Sequence, residues 1–231
     1  MPLWTERRYA TLERSRMGAP RYHRGMRVIA GLYRSRRLAA PAGMATRPTS
    51  DRLRETLASM LAPRLPGARM LDLYAGSGAV GIEALSRGAA FVWFAEKAPS
   101  AVHALRGNLV GIGIAAQDYA MEPRGVAVLL RGLIDRPPVQ NIDLVYLDPP
   151  YDAAEEYAAT LGLLGSERGR ALLAPDAWVV AEHDKKRPLA ESYGALTLLR
   201  TRVQGDACLS FYGLAAVASG QDSEQEIEPT V

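Results

Sequence analysis

One cysteine, Cys208, is all the thiol this 231-residue chain contains. It excludes an intramolecular disulfide and a cysteine-based zinc site, and it fits a reducing, cytoplasmic setting. Histidine is nearly as scarce. His23, His103 and His183 are scattered without ligand spacing, so no metal is expected. No apolar run approaches the roughly 20 residues of a membrane helix, and no apolar stretch follows the arginines near the start, as a secretory signal requires. The chain is therefore expected to have no membrane partner. Hydrophobic residues make up 48% and charged residues 23%, which excludes wholesale disorder, collagen and coiled coil.

Lysine is absent from the first 54 residues, yet they hold 13 arginines against only Glu6, Glu13 and Asp51, a net charge of about +10. The other 177 residues net about −7. A basic arm on an acidic body is the footprint of a polyanion-binding protein, and guanidinium groups match phosphates and lie flat on bases.

Residues 1–25 lack a hydrophobic period and read as a disordered basic leader. Residues 26–63 read as a small basic hairpin followed by a helix. The hairpin holds a strand at Met26–Ala30, with Arg34, Arg36 and Arg37 after it. The helix carries Leu53, Leu57, Met60 and Leu61 at helical spacing, has Thr49 or Ser50 as N-cap, and stops at Pro63. From residue 64 to 215 strand-like and helix-like runs alternate. Strands are expected at Met70–Leu73, Phe91–Ala95, Tyr119–Glu122, Ile142–Leu147 and Ala177–Ala181, and helices near 79–87, 99–110 and 153–164. Ala195–Thr201 and Ala207–Gly213 look like a closing antiparallel pair. The result is an α/β domain with a mostly parallel seven-stranded sheet. Residues 216–231 read as a disordered acidic tail.

Two motifs carry the chemistry. In the first, Asp72-Leu73-Tyr74-Ala75-Gly76-Ser77-Gly78-Ala79-Val80-Gly81 leaves a strand and opens a helix. Gly76 and Gly78 permit positive φ and close approach of a ligand, and the helix start offers free N–H groups. Alone, this pattern suits NAD and S-adenosylmethionine (SAM) about equally, the more so because Glu96 stands 20 residues after Gly76. Asp72 favours SAM. A carboxylate there suits the amino group of the methionine portion and repels a pyrophosphate. Glu96 would then accept hydrogen bonds from the ribose hydroxyls.

In the second motif, the strand Ile142–Leu147 runs into Asp148-Pro149-Pro150-Tyr151. Two prolines stiffen the turn and remove two N–H donors, leaving acceptors beside a planar ring. Acceptors plus a ring suit a flat heterocycle with an exocyclic amine, held by Asp148 and a main-chain carbonyl and stacked on Tyr151.

Together these motifs resemble the SAM-dependent amino-group methyltransferases. Arg27-Val28-Ile29-Ala30-Gly31, Arg47-Pro48-Thr49-x-Asp51-Arg52-x-Arg54-Glu55, Gly81-Ile82-Glu83-Ala84-Leu85-Ser86-Arg87-Gly88-Ala89 and Gly205-Asp206-x-x-Leu209-Ser210-Phe211-Tyr212 narrow the match. Over residues 26–214 the chain resembles the 16S ribosomal RNA guanine-N2 methyltransferases of the RsmD type. The resemblance implies a Rossmann-like class I SAM-dependent fold, SAM as cofactor, and 16S RNA in the small subunit or an assembly intermediate as partner. It also implies a cytoplasmic monomer. Asp148, Pro149, Pro150 and Tyr151 would be catalytic. Asp72, Tyr74, Ala75, Gly76, Ser77, Gly78, Glu96 and Lys97 would bind the cofactor, with Arg47 and Thr49 over its methionine end, and Arg34, Arg36 and Arg37 would grip RNA. Asp118 and Glu122 are both candidates to hold the adenine amine. Two other readings remain: a DNA adenine-N6 methyltransferase, and a non-catalytic SAM-binding ribosome-assembly protein.

Overall fold

The structure, a computed structural model, describes residues 22–41, 51–150 and 154–215. Arg47, Thr49, Ser50, Tyr151, most of the leader and the acidic tail lie outside the described residues.

The chain opens with a hairpin of β1 (Tyr22–Arg27) and β2 (Arg37–Ala39). Its first strand starts four residues earlier than the Met26–Ala30 segment expected, and Val28–Arg36 forms the loop between the strands. Helix α1 (Asp51–Leu61) follows, then a 3-10 turn at Ala62–Arg64 that absorbs Pro63.

The body alternates β3 (Arg69–Leu73), α2 (Ala79–Ser86), β4 (Phe91–Ala95), α3 (Pro99–Ile112), β5 (Tyr119–Glu122), α4 (Val126–Asp135) and β6 (Ile142–Leu147). It continues with α5 (Ala154–Gly165), the short α6 (Glu167–Arg170), β7 (Leu173–Asp184), β8 (Ser192–Tyr193), β9 (Leu196–Gln204) and β10 (Ala207–Leu214). The sheet order is β5-β4-β3-β6-β7-β10-β9-β8. Its first five strands are parallel, and the last three join antiparallel.

This is the mixed α/β Rossmann-like sheet expected, with one correction. There are eight strands rather than seven, because the two-residue β8 pairs on the outer edge of β9. A segment that short carries no period and cannot be read from sequence. Helices α4 and α6 are likewise additional to the three expected in the body. Strand β7 is longer at its start than Ala177–Ala181. Pro175 falls where the β6–β7 register shifts, a place where the ladder can do without a proline N–H.

The two sheet faces are buried in separate cores. On one face Leu53, Leu57 and Leu61 of α1, Ile82 of α2, Leu105 and Leu109 of α3 and Val28 and Leu38 of the hairpin segment pack on Met70, Val92, Phe94 and Tyr146. On the other, Leu129, Leu130 and Leu133 of α4 and Tyr157, Leu161 and Leu164 of α5 pack on Leu71, Leu73, Val145 and Leu147. Strands covered on both faces need apolar residues throughout, which is why they read as unbroken runs. After β5 the chain returns past β3 to lay down β6 on its other side. That leaves a topological switch point between the carboxyl ends of β3 and β6, where open α/β sheets bind ligands.

Candidate active site

The glycine-rich turn fills one side of this switch point. Tyr74, Gly76 and Gly78 all have positive φ, at 61°, 56° and 79°. The glycines are not equivalent. A Cβ on Gly78 would lie 2.3 Å from Leu105 Cδ1, and one on Gly81 would lie 2.3 Å from Phe94 Cε1 and 2.9 Å from Asp72 Oδ2, so both are demanded by packing. A Cβ on Gly76 meets nothing within 4 Å. Gly76 is therefore the point where the backbone lies open to a ligand.

The turn is tied from three directions. Ala75 N–H donates to the Ala95 carbonyl at 2.9 Å. Gly76 N–H donates to Glu96 Oε2 at 2.8 Å, while Glu96 Oε1 accepts from Lys97 N–H and Ala98 N–H, each at 2.8 Å. Three of the roughly four acceptor positions of this carboxylate are thus taken, one by the turn and two by the backbone that follows Glu96, leaving about one for a further donor. Buried Asn108 of α3 supplies the third tie, donating to the Ser77 carbonyl at 2.9 Å.

Across the switch point stand three acids. Asp72 is buried, and its Oδ2 accepts from Gly81 N–H at 2.9 Å. Burial, helped by the charge of Glu96 and opposed by the Gly81 bond, pushes its carboxyl up to about 8. Half-buried Asp148 follows β6, and none of the described residues donates a hydrogen bond to it. Glu182, near the end of β7, is buried and accepts the Tyr146 hydroxyl at 2.6 Å on Oε2. Asp72 is paired with Tyr146 and Tyr146 with Val180, so Asp148 and Glu182 stand side by side two residues farther along. Desolvation, with the charges of Glu182 and Asp72 adding to it, raises the Asp148 carboxyl well above the ordinary value. Desolvation also raises Glu182, against the Tyr146 bond. Carboxyls that resist ionising in the empty site gain most from a cation or a cluster of N–H donors, which lets them ionise.

Glu182 was missed in the sequence. Strand-end position and an acid directly after the apolar run Trp178–Ala181 were the signals that could have found it. Glu156 of α5 was missed as well. It accepts the Tyr74 hydroxyl at 2.8 Å and the Lys97 ammonium at 3.2 Å, and Tyr74 also contacts Thr160 at 2.8 Å. Tyr74 and Lys97 therefore brace the turn against the helix that follows Asp148–Tyr151.

Of the two candidates for an adenine contact, only Glu122 lies at the carboxyl end of β5. Asp118 precedes that strand, at its amino end. Burial pushes the Glu122 carboxyl up, but two side-chain bonds and one backbone bond from Arg124 outweigh it and hold the group below its ordinary value.

The hairpin docks directly on this machinery. Ile29 and Ala30 N–H donate to the two oxygens of Glu83, at 2.7 and 3.0 Å, and Arg87 caps the same carboxylate at 2.7 Å. Ser86 receives the Tyr33 N–H at 2.9 Å and the Leu32 N–H at 2.7 Å. A Cβ on Gly31 would lie 1.8 Å from the Ser86 carbonyl oxygen. Asn108 exchanges bonds with Ala39 at 2.7 and 3.0 Å. Arg34, Arg36 and Arg37 are exposed, as is Leu32 at the loop tip.

The family model described as conserved hypothetical protein 95 matches residues 26–213. A Bacillus subtilis protein named as an rRNA methyltransferase is 35% identical over 81% of this chain and 98% of its own. Ribosomal RNA small subunit methyltransferase D of Escherichia coli is 33% identical over 81% of this chain and 89% of its own. A solved Escherichia coli structure named as a methyltransferase superposes with a TM-score of 0.68 at 30% identity, covering 83% of this chain and 99% of that one.

Proposed function

The chain belongs to this family, that of ribosomal RNA small subunit methyltransferase D, and we propose that it transfers a methyl group from SAM to the exocyclic N2 amine of one guanine in 16S ribosomal RNA. The substrate would be the small subunit or an assembly intermediate, and the enzyme a cytoplasmic monomer. The observation that carries the reading is the juxtaposition of Asp72, Asp148 and Glu182 with the open backbone at Gly76. Three carboxyls that burial holds protonated until a positive charge arrives can ionise against the ammonium and sulfonium of SAM, whereas a pyrophosphate offers them no such partner.

When bound, SAM supplies a methyl group made electrophilic by its sulfonium. Asp72 would hold the ammonium, and the last free position of Glu96 would accept from a ribose hydroxyl. Gly76 lets the cofactor lie against the turn that Ala75, Ser77 and Gly78 shape. Arg47 and Thr49 are assigned to the methionine end by family resemblance. The Asp148 carboxylate and the Pro149 carbonyl accept the two amine hydrogens. That draws N2 toward tetrahedral geometry, frees a lone pair delocalised into the ring, and holds it in line with the methyl group. The base must leave its stack to reach this turn, and Tyr151 gives it a new stacking partner. Pro150 keeps the turn stiff, and Asp148 or water takes the released proton.

Calorimetric titration tests the cofactor. Micromolar binding of SAM and no heat with NAD is expected. The reverse result ends the methyltransferase reading. Comparison of methylated nucleotides in 16S RNA from cells with and without the protein then locates the target.

The exposed arginines should hold RNA, because the body is net acidic. Replacing Arg34, Arg36 and Arg37 together with alanine should weaken binding to small-subunit RNA and flatten its salt dependence. Each phosphate left without its arginine lowers the slope by roughly 0.7–0.9. SAM affinity should not change. An unaltered salt slope would place the RNA contact elsewhere.

A further inference from the structure

Asp148 and its neighbouring carbonyl account for an amine but not for the base that bears it. Adenine, cytosine and guanine all present an exocyclic amine, and they differ at the adjacent ring nitrogen. Beside the amine, adenine and cytosine carry a bare acceptor nitrogen. Guanine's amine is flanked by N3, also a bare acceptor, and on its other side by N1–H, a donor that the other two bases lack. A site that takes guanine in preference to the others therefore needs a second acceptor next to the one that holds the amine.

Glu182 stands in that place. It lies on β7, the strand beside β6, and the pairing of Leu147 with Ala181 puts it next to Asp148 on the same sheet face. Neighbouring strands are about 4.8 Å apart, so the two carboxylates can converge on adjacent atoms of one ring. Its orientation is fixed. Oε2 accepts the Tyr146 hydroxyl at 2.6 Å, and the Tyr157 hydroxyl donates to its main-chain carbonyl at 2.6 Å. Tyr146 is the only described side chain that donates a hydrogen bond to the carboxylate, which leaves Oε1 for a ligand. Glu182 is only 6% exposed, and an acid so buried is costly unless it meets a donor.

We propose that Glu182 is the specificity-determining residue of the site: its Oε1 accepts N1–H of the target guanine while Asp148 accepts from N2, so that the pair reads two adjacent donors. The proposal rests on the guanine-N2 reading above. A base with an acceptor at the ring position would set a lone pair against the buried Oε1 and leave that oxygen without a donor, which rejects it.

The discriminating base is 2-aminopurine, which keeps the exocyclic N2 amine of guanine but has no N1–H. Small-subunit RNA carrying guanine or 2-aminopurine at the mapped target is offered to the full-length enzyme with SAM, and kcat/KM is measured for each. Wild type should prefer guanine by on the order of 10²-fold or more. Glu182→Gln retains the acceptor for Tyr146 and can present an N–H to a bare N1, so its preference should fall below about tenfold with SAM affinity unchanged. Tyr146→Phe, which frees the carboxylate to turn, should lower the preference by an intermediate factor.

Equal use of the two bases by wild type overturns the proposal without needing any variant. So does a Glu182→Gln enzyme whose preference matches wild type, whatever its absolute rate. Failure of wild type to methylate the guanine RNA at all would instead refute the underlying functional reading.

Discussion

Asp148→Ala should lower methyl transfer by on the order of 10²-fold or more while SAM affinity stays within a few fold. The size follows from what the side chain does. The substitution removes a fixed acceptor from the nitrogen whose charge changes during the reaction, and deleting one such preorganised interaction costs about 10²–10³ in turnover. SAM binding should survive because the proposed cofactor contacts run from Asp72 to Gly78 and to Glu96, at and after the ends of β3 and β4, whereas Asp148 follows β6. Removing a carboxylate also relieves repulsion with Asp72 and Glu182, so the variant should fold at least as well as wild type. Single-turnover kinetics with small-subunit substrate, beside calorimetry with SAM, separates the two effects. A loss of SAM affinity equal to the loss of rate would move Asp148 from the reaction to the cofactor pocket.

Asp72→Asn is expected to do the opposite: weaken SAM by about 10²-fold and stabilise the ligand-free protein at neutral and alkaline pH. The Asp72 carboxyl is held at about 8 in the folded chain, against an ordinary value near 3.8. The native state therefore keeps a proton that the unfolded chain has released. The stability linked to that proton is fully present below about pH 4 and is lost as pH rises toward 8, with a slope of up to about 1.4 kcal/mol per pH unit. Asparagine has no proton to lose, and its carbonyl still accepts from Gly81 N–H. Melting temperatures without SAM should thus coincide near pH 4 and separate in favour of the variant by pH 8. Saturating SAM should erase the wild-type deficit, because an ammonium beside Asp72 draws its pKa down. Parallel melting curves across this range would show that Asp72 is not a strained group. A site that is less stable empty than occupied trades stability for function, and the cost is concentrated in carboxylates waiting for a cation.

Much of this was legible in the sequence because it is local. The alternation of buried strands with amphipathic helices pointed to the sheet. The glycines after β3 marked one turn at the switch point, and two prolines after Asp148 marked the other. Those signals need only a few consecutive residues, since backbone conformation at a turn is decided by the residues in it. Family resemblance added ribosomal RNA methylation, which no local pattern could give, and with it the guanine target proposed above.

Other features depend on residues that meet only after folding. The stretches Arg27–Gly31 and Gly81–Ala89 look unrelated along the chain. In the fold, Glu83 and Ser86 of the second bind the backbone of the first and of the loop that follows it, so the two segments hold each other in place. Asn108 appears as an ordinary polar residue in a helix, yet it joins the hairpin to the glycine turn. Asp118 and Glu122 are equivalent by spacing. Strand direction alone puts one at the amino end of β5 and the other at its carboxyl end.

By itself the sequence determined the parallel α/β architecture, the two motifs and their order, because periodicity and turn chemistry are properties of neighbours in the chain. Only the tertiary structure decided that Glu182 stands beside Asp148 and Glu156 behind Tyr74. Strand order and register set those distances, and a strand's place in a sheet depends on long-range packing that leaves no mark within the strand itself.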